Sequence, residues 1–248
     1  EVDRANKLVT DTVTSPSSTT ASQTITLNGL VQSTRTTSNL TYTYGYDGLG
    51  RRTTTTDHRT GTSTTHYHQT TGGGLSVEDP EERTTNFSYD SAGRLKSVEN
   101  PDEKTTHYGY NARGQITNVW GHVPQPVKIE YDTSNGWRTT LSTYREDSSW
   151  SLDDWPDPPP TADVTTWAYD IATGSLTEKT YADGKKVKYA VNSGGKVTSI
   201  EWARSTTLNQ AKKLFSWDSY TGELTNITFP GGGSYNVTFE YDRLGRRK

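Results

Sequence analysis

The sequence contains neither cysteine nor methionine, and only 29% of its 248 residues are hydrophobic. The absence of cysteine excludes disulfide bonds and thiolate metal sites. No apolar run is long enough to cross a membrane as a helix, and no signal peptide is recognisable. The absence of methionine predicts a mature or excised piece of a longer open reading frame, with any export signal outside it.

The sequence also lacks an excess of charge of either sign, since the formal net charge is only -3. A near-neutral chain lacks the basic footprint of a nucleic-acid-binding protein. Low hydrophobicity by itself would favour disorder, but aromatic residues are plentiful, with 7 Trp, 15 Tyr and 4 Phe beside many Thr. Because these residues favour half-buried strands, the composition predicts an all-β chain whose apolar contacts are made largely by rings.

A unit of about 21 residues recurs along the chain, and it is marked by Tyr-Asp followed by Gly. The clear copies are Tyr46-Asp47 with Gly50, Tyr89-Asp90 with Gly93, Tyr110-Asn111 with Gly114, Tyr131-Asp132 with Gly136, Tyr169-Asp170 with Gly174, Trp217-Asp218 with Gly222, and Tyr241-Asp242 with Gly245. Degenerate copies stand at Tyr67-His68 and Val191-Asn192, which brings the number of copies to nine.

Each copy has the chemistry of a tight hairpin turn. The Asp or Asn accepts hydrogen bonds from its own downstream backbone, and the Gly adopts a left-handed conformation that closes a type I turn with a bulge. Apolar residues alternate with polar ones before the turn, as in Tyr42, Tyr44 and Tyr46, which is the period of a strand. Pro, Gly and Asp then mark a second turn, for example at Asn100-Pro101-Asp102. The pattern predicts tandem β-hairpins in one long antiparallel meander.

Two intervals between copies are long and predict inserted loops, at about 146–162 and 203–212. The first contains the run Pro158-Pro159-Pro160, which cannot lie inside a β-ladder. Residues 1–40 form a weaker, Thr/Ser-rich region of degenerate strand repeats, and residues 41–248 form the array itself.

The copies resemble the YD repeats of the RHS (rearrangement hotspot) family, whose pattern is Tyr-Asp-x-x-Gly-Arg-Leu. The run from Tyr89 to Leu95 carries that pattern in full, and the resemblance covers about residues 40 to 248. It implies a β-strip that curls toward a hollow shell. Such shells enclose toxins in bacterial toxin complexes and polymorphic toxins, and they form part of the teneurin ectodomain.

The chain departs from the best-known members of the family in two respects. It lacks the Asp-Pro-rich self-cleavage motif of many toxin shells, since Asp157-Pro158 lies in an insert, and it carries no toxin domain. The resemblance therefore implies a structural or interaction segment of a secreted or cell-surface protein of bacterial type. The expected partners are neighbouring parts of a longer YD-repeat chain or another copy, joined through an open sheet edge.

The insert offers the candidate binding residues Trp150, Trp155, Asp153 and Asp154. Exposed Trp rings suit sugar stacking, so a module that binds carbohydrate or a cell-surface partner is the alternative function. Paired carboxylates also serve glycoside hydrolysis, but an acidic, proline-rich loop is more often only solvated. Since no nucleophile elbow, P-loop or dinucleotide motif is present, we expect no enzyme and no cofactor.

His66-Tyr67-His68 would place two imidazoles on one strand face, a spacing that can hold a metal ion. A third ligand such as Asp57 or Glu78 would be needed. A polar strand face is the simpler interpretation, and we predict no metal.

Overall fold

In a computed structural model of the chain, the segments in which aromatic residues alternate with Thr form β-strands. The structure describes residues 1–3, 7–14, 21–145, 152–155, 161–203, 212–229 and 235–248. No α-helix lies in these ranges, and none of their segments could cross a membrane as a helix. The all-β, antiparallel architecture predicted from the sequence is confirmed.

The chain divides into two compact units, Glu1–Gly109 and Tyr110–Lys248. The strands of the first unit are β1 (Val2–Asp3), β2 (Leu8–Val13), β3 (Ser22–Leu27), β4 (Leu30–Arg35), β5 (Thr41–Tyr46), β6 (Arg52–Asp57), β7 (Gly61–Tyr67), β8 (Gly74–Glu78), β9 (Thr84–Tyr89), β10 (Leu95–Glu99) and β11 (Thr105–Tyr110), whose last residue begins the second unit. From β1 to β11 each strand pairs antiparallel with the next, which is the topology of a meander.

The second unit continues with ten further strands. They are β12 (Ile116–Gly121), β13 (Val127–Tyr131), β14 (Arg138–Tyr144), β15 (Ala162–Tyr169), β16 (Leu176–Thr180), β17 (Lys186–Val191), β18 (Val197–Glu201), β19 (Lys212–Trp217), β20 (Leu224–Thr228) and β21 (Val237–Thr238). Each again pairs antiparallel with its successor.

The register separates an aromatic face from a polar face of the sheet in each unit. In the second unit Trp167 pairs with Lys179, and Lys179 pairs with Val187, so these three side chains share the aromatic face. In the first unit the opposite face is rich in Thr, as where Thr54 pairs with Thr64. Tyr144 and Val187 are the only buried hydrophobic residues in the described part of the chain, so the sheet is thin and most of its side chains remain half-exposed.

The insert predicted at 146–162 lies largely outside the described residues, apart from 152–155 and the start of β15. The excursion predicted at 203–212 also lies largely outside them. The division at residue 40 stays a prediction.

Candidate functional site: the row of Tyr-Asp turns

The short form of the Tyr-Asp turn is built around one carboxylate, and Asp90 shows it fully. Its Oδ1 accepts hydrogen bonds from the backbone N–H groups of Ala92 and Arg94, each at 2.9 Å. Its Oδ2 accepts a hydrogen bond from Arg94 Nε at 2.7 Å. The Gly93 N–H closes the turn on the Asp90 carbonyl at 2.9 Å, with Gly93 at φ +76°. The same bonds recur around Asp47 and Asp242.

These hydrogen bonds stabilise the ionised carboxylate. The side-chain bond from Arg94 holds the pKa of Asp90 below its ordinary value of 3.8. For Asp47 the backbone N–H of Arg51 is the main cause of the same downward shift in pKa. Both oxygens of each carboxylate already have donors, so these aspartates are poorly suited to move protons near neutral pH.

A longer form of the turn occurs where Gly stands four residues after the Asp. The Gly136 N–H donates to the Asp132 carbonyl across that longer step, at 2.9 Å, and the Asp132 Oδ1 accepts the N–H groups of Ser134 and Asn135. Asp170-Gly174 and Asp218-Gly222 repeat the arrangement. Within the described residues no hydrogen bond reaches the Oδ2 of Asp132 or Asp170, which distinguishes them from the aspartates of the short turns.

Amide side chains replace the carboxylate without loss of the turn. Asn111 Oδ1 accepts the N–H groups of Arg113 and Gln115, and its Nδ2 donates to Gln115 Oε1 at 2.9 Å. This neutral pair takes the place of the Asp–Arg pair, and Gly114 closes the turn as Gly93 does.

The ring that precedes each turn joins its unit to the one before it. The Tyr67 hydroxyl donates to the carbonyl of Arg52 at 2.8 Å, and the Tyr131 hydroxyl donates to that of Ile116 at 2.9 Å. Tyr46, Tyr169, Trp217 and Tyr241 make equivalent bonds to Val31, Arg138, Val197 and Leu224. Tyr89 instead lies against Gly73, and Tyr110 ends β11.

The residue that follows the glycine, here called the post-glycine residue, makes a second link, to the next turn. Gln115 Nε2 donates to the Gly136 carbonyl at 2.8 Å, and Lys196 Nζ donates to that of Gly222. Arg51 stacks over the Tyr67 ring at 4.6 Å, and Lys196 over the Trp217 ring at 5.1 Å. The Tyr-Asp-x-x-Gly pattern does not predict this role, although a long side chain after the glycine recurs visibly in the repeat.

The predicted binding residues of the insert are only partly described. Trp150 lies outside the described residues, and Asp153 and Asp154 are exposed. The Trp155 ring meets the rings of Trp120 at 5.9 Å and Tyr144 at 5.5 Å, both edge-on. Trp120 Nε1 also donates to the backbone carbonyl of Asp153 at 3.3 Å. The structure therefore gives Trp155 a packing role over the buried Tyr144.

His66 and His68 have separate roles in the structure. His68 Nδ1 accepts the N–H groups of Thr70 and Thr71, as an Asp does in a long turn. His66 lies opposite Ser76 on the polar face. In the described part of the chain no three His, Asp or Glu residues are grouped so that they could hold a metal ion.

This geometry defines a class of protein, a tandem β-hairpin repeat module joined turn to turn. Residues 89–119 match the family model described as RHS Repeat, which confirms the predicted resemblance to the RHS/YD repeats. A comparison with curated proteins found no match.

The fold is similar to that of large toxin structures. One is TcdB2-TccC3 without its hypervariable C-terminal region, with 15% identity, a TM-score of 0.51, and coverage of 91% of this chain and 15% of the other. Another is the Photorhabdus luminescens Tc holotoxin pore with a mutated TccC3, with 16% identity, a TM-score of 0.51, and coverage of 92% and 13%. This chain thus spans only about a seventh of the length of those chains. At this identity the likeness is one of fold.

Proposed function

We propose that the chain is a non-catalytic segment of a longer, secreted or cell-surface RHS protein, in which it forms part of a β-strip that curls toward a shell. The observation that carries the proposal is the repeated link between units: the ring of each unit bonds to the preceding unit, and its post-glycine residue contacts the next turn. Repeat proteins stabilised by contacts between neighbours suit extended scaffolds. The fold it shares with toxin-complex structures supports the extracellular setting.

The chemistry of the conspicuous acidic residues supports a structural role over an enzymatic one. Asp47, Asp90 and Asp242 use both carboxylate oxygens within their own turns. In the insert, Asp153 contributes its backbone carbonyl to a contact with Trp120. A polysaccharide-degrading enzyme based on the insert carboxylates is therefore the least supported function.

An open strand edge supports the proposed partners. β21 pairs with β20 through Val237 and Thr238, and no other strand of the described residues pairs with it. Unpaired backbone groups at such an edge favour addition of another strand. We therefore expect a neighbouring part of a longer chain, or a second copy, to pair there.

Sedimentation velocity across a wide range of protein concentrations tests this pairing. We expect the wild-type chain to self-associate and Val237→Lys to weaken association, because an edge lysine opposes strand addition. Val164→Lys is the matched control, since Val164 on the central strand β15 is 39% exposed and Val237 is 40% exposed. A strict monomer at every concentration, or equal weakening by both substitutions, would contradict the proposal.

The alternative function is a module that binds carbohydrate or a cell-surface partner through exposed aromatic residues. Of its first candidates, Trp150 and Trp155, the described Trp155 packs on Trp120 and Tyr144. A separate group of rings beside the Asp132 turn supports this function better.

A further inference from the structure

One unit departs from the rest of the array at its post-glycine residue. Polar side chains occupy this position in most units, namely Arg51, Arg94, Gln115, Ser175, Lys196, Glu223 and Arg246, and a glycine, Gly73, occupies it in another. After Gly136 the residue is Trp137. A ring that replaces the repeat's usual polar group is not needed for the turn, because the other units form theirs without one.

Trp137 completes a cleft that lies between two long turns. Its ring lies 5.2 Å from that of Tyr169 at an interplanar angle of 37°, and the lining also includes Trp167 and Ile171. Ile171 is 87% exposed at the rim. The cleft measures about 360 Å³, which is within the range of small-molecule sites, roughly 300–1,000 Å³. We call it the aromatic cleft.

Polar groups line one side of the aromatic cleft and have no protein partner in the described part of the chain. They are the Asp132 Oδ2, the Ser134 hydroxyl and the Asn135 side-chain amide. The indole N–H groups of Trp137 and Trp167 likewise donate to no described residue. In the short turns, by contrast, Arg94 and its equivalents satisfy the second carboxylate oxygen.

We propose that the aromatic cleft binds a neutral sugar residue of a glycan chain. A pyranose ring has an apolar C–H face that suits stacking on an indole or phenol ring, and it has hydroxyls at its rim. Those hydroxyls can donate to Asp132 and exchange hydrogen bonds with Ser134 and Asn135. A purely apolar ligand would leave these polar groups without partners, which is unfavourable, and an anionic ligand would meet the Asp132 carboxylate.

The cleft also has the rigidity that recognition requires. Arg138 lies 4.0 Å over the Trp167 ring, and the Tyr169 hydroxyl is held by the Arg138 carbonyl at 3.0 Å. Trp137 rests against Gly174, where an added methyl would approach its Cζ2 to 3.1 Å. The rings are therefore positioned before a ligand arrives, which lowers the entropic cost of binding.

Titration of the full chain with neutral oligosaccharides tests the proposal. Cello-, chito-, malto- and xylo-oligosaccharides are added at millimolar concentrations, and binding is followed by tryptophan fluorescence and calorimetry. We expect at least one series to bind. Trp137→Arg restores the residue type common in the repeat and should weaken binding by about tenfold or more, since it removes a stacking ring. Asn135→Ala should weaken it by several-fold.

Trp202→Arg is the matched control, because Trp202 is a half-exposed ring outside the aromatic cleft. This substitution should change binding less than twofold. Circular dichroism and the Tm report whether each variant folds. If Trp137→Arg fails to fold, Ile171→Ser at the exposed rim replaces it. The proposal is overturned if no series binds or if folded cleft variants bind like wild type. Self-association through β21 is measured separately, so the two proposals can fail independently.

Discussion

At the scale of single residues, glycine serves the turns in two ways. Gly93 adopts φ +76° with open space where a methyl would stand. Gly174 adopts φ +70° and also lies against Trp137, the post-glycine residue of the preceding unit. The first glycine is required by backbone conformation alone, whereas the second is required by conformation and by close packing.

This difference predicts unequal costs of the same substitution. Gly93→Ala should lower the free energy of unfolding by about 1–2 kcal/mol, the cost of a left-handed non-glycine residue. Gly174→Ala should cost more, because the new methyl also displaces the Trp137 ring. Urea unfolding followed by tryptophan fluorescence measures both values, and equal costs would show that packing on Gly174 contributes nothing.

Some turns break the glycine rule, and the sequence did not reveal them as members of the same class. Asp79 makes the same bonds with Arg83 that Asp90 makes with Arg94. Glu82 there takes the place of glycine at φ +63°. The pair Asp79-Pro80 indicates a turn but not its geometry, because Glu gives no signal for a left-handed residue.

At the scale of elements, the link between neighbouring units depends on the hydroxyl of the ring before the turn. Tyr67 and Tyr131 both donate to the first carbonyl of a strand in the preceding unit. Aromatic content and period indicate that rings make most of the apolar contacts of the sheet. The hydroxyl contact could not be predicted, because it depends on the register between units, which a single unit's sequence does not specify.

Tyr67→Phe should therefore lower the free energy of unfolding by about 0.5–1.5 kcal/mol, the typical net value of one hydrogen bond. Hydrogen exchange should show the loss of protection in β6 and β7 first, since the hydroxyl joins those strands. Tyr220→Phe serves as the control, because Tyr220 is 97% exposed. This substitution should leave stability unchanged. A Tyr67 variant as stable as wild type would show that the hydroxyl bond is replaced by water at no cost.

At the scale of the whole molecule, the ionised turns make stability depend on pH. The pKa values of Asp79 and Asp90 are lowered mainly by side-chain bonds from Arg83 and Arg94, and that of Asp242 mainly by the backbone N–H of Arg246. A carboxyl group whose pKa falls on folding contributes its full stabilisation at pH values above its ordinary pKa of 3.8. That stability is lost as the pH drops through the folded values.

We therefore expect the Tm to stay nearly constant from neutral pH down to about 5 and to fall steeply below about 4. The double variant Asp90→Asn, Arg94→Gln copies the neutral Asn111–Gln115 pair that the chain already uses, so it removes one titrating group while keeping the turn. Its Tm should fall less than that of wild type over the same acid range. Identical acid profiles would mean that the Asp90 pair does not contribute to the dependence on pH.

By itself the sequence determined the strand content, the positions of the turns and the resemblance to the RHS repeats, because these depend on local periodicity and on the conformational preferences of Asp, Asn and Gly. Only the tertiary structure decided which residues meet between units. It joined Trp137 to Tyr169 and Gly174 in the aromatic cleft, and it packed Trp155 onto Tyr144. The physical reason is that a turn is determined by its own few residues, whereas contacts between units depend on the register and twist of the strands that separate them.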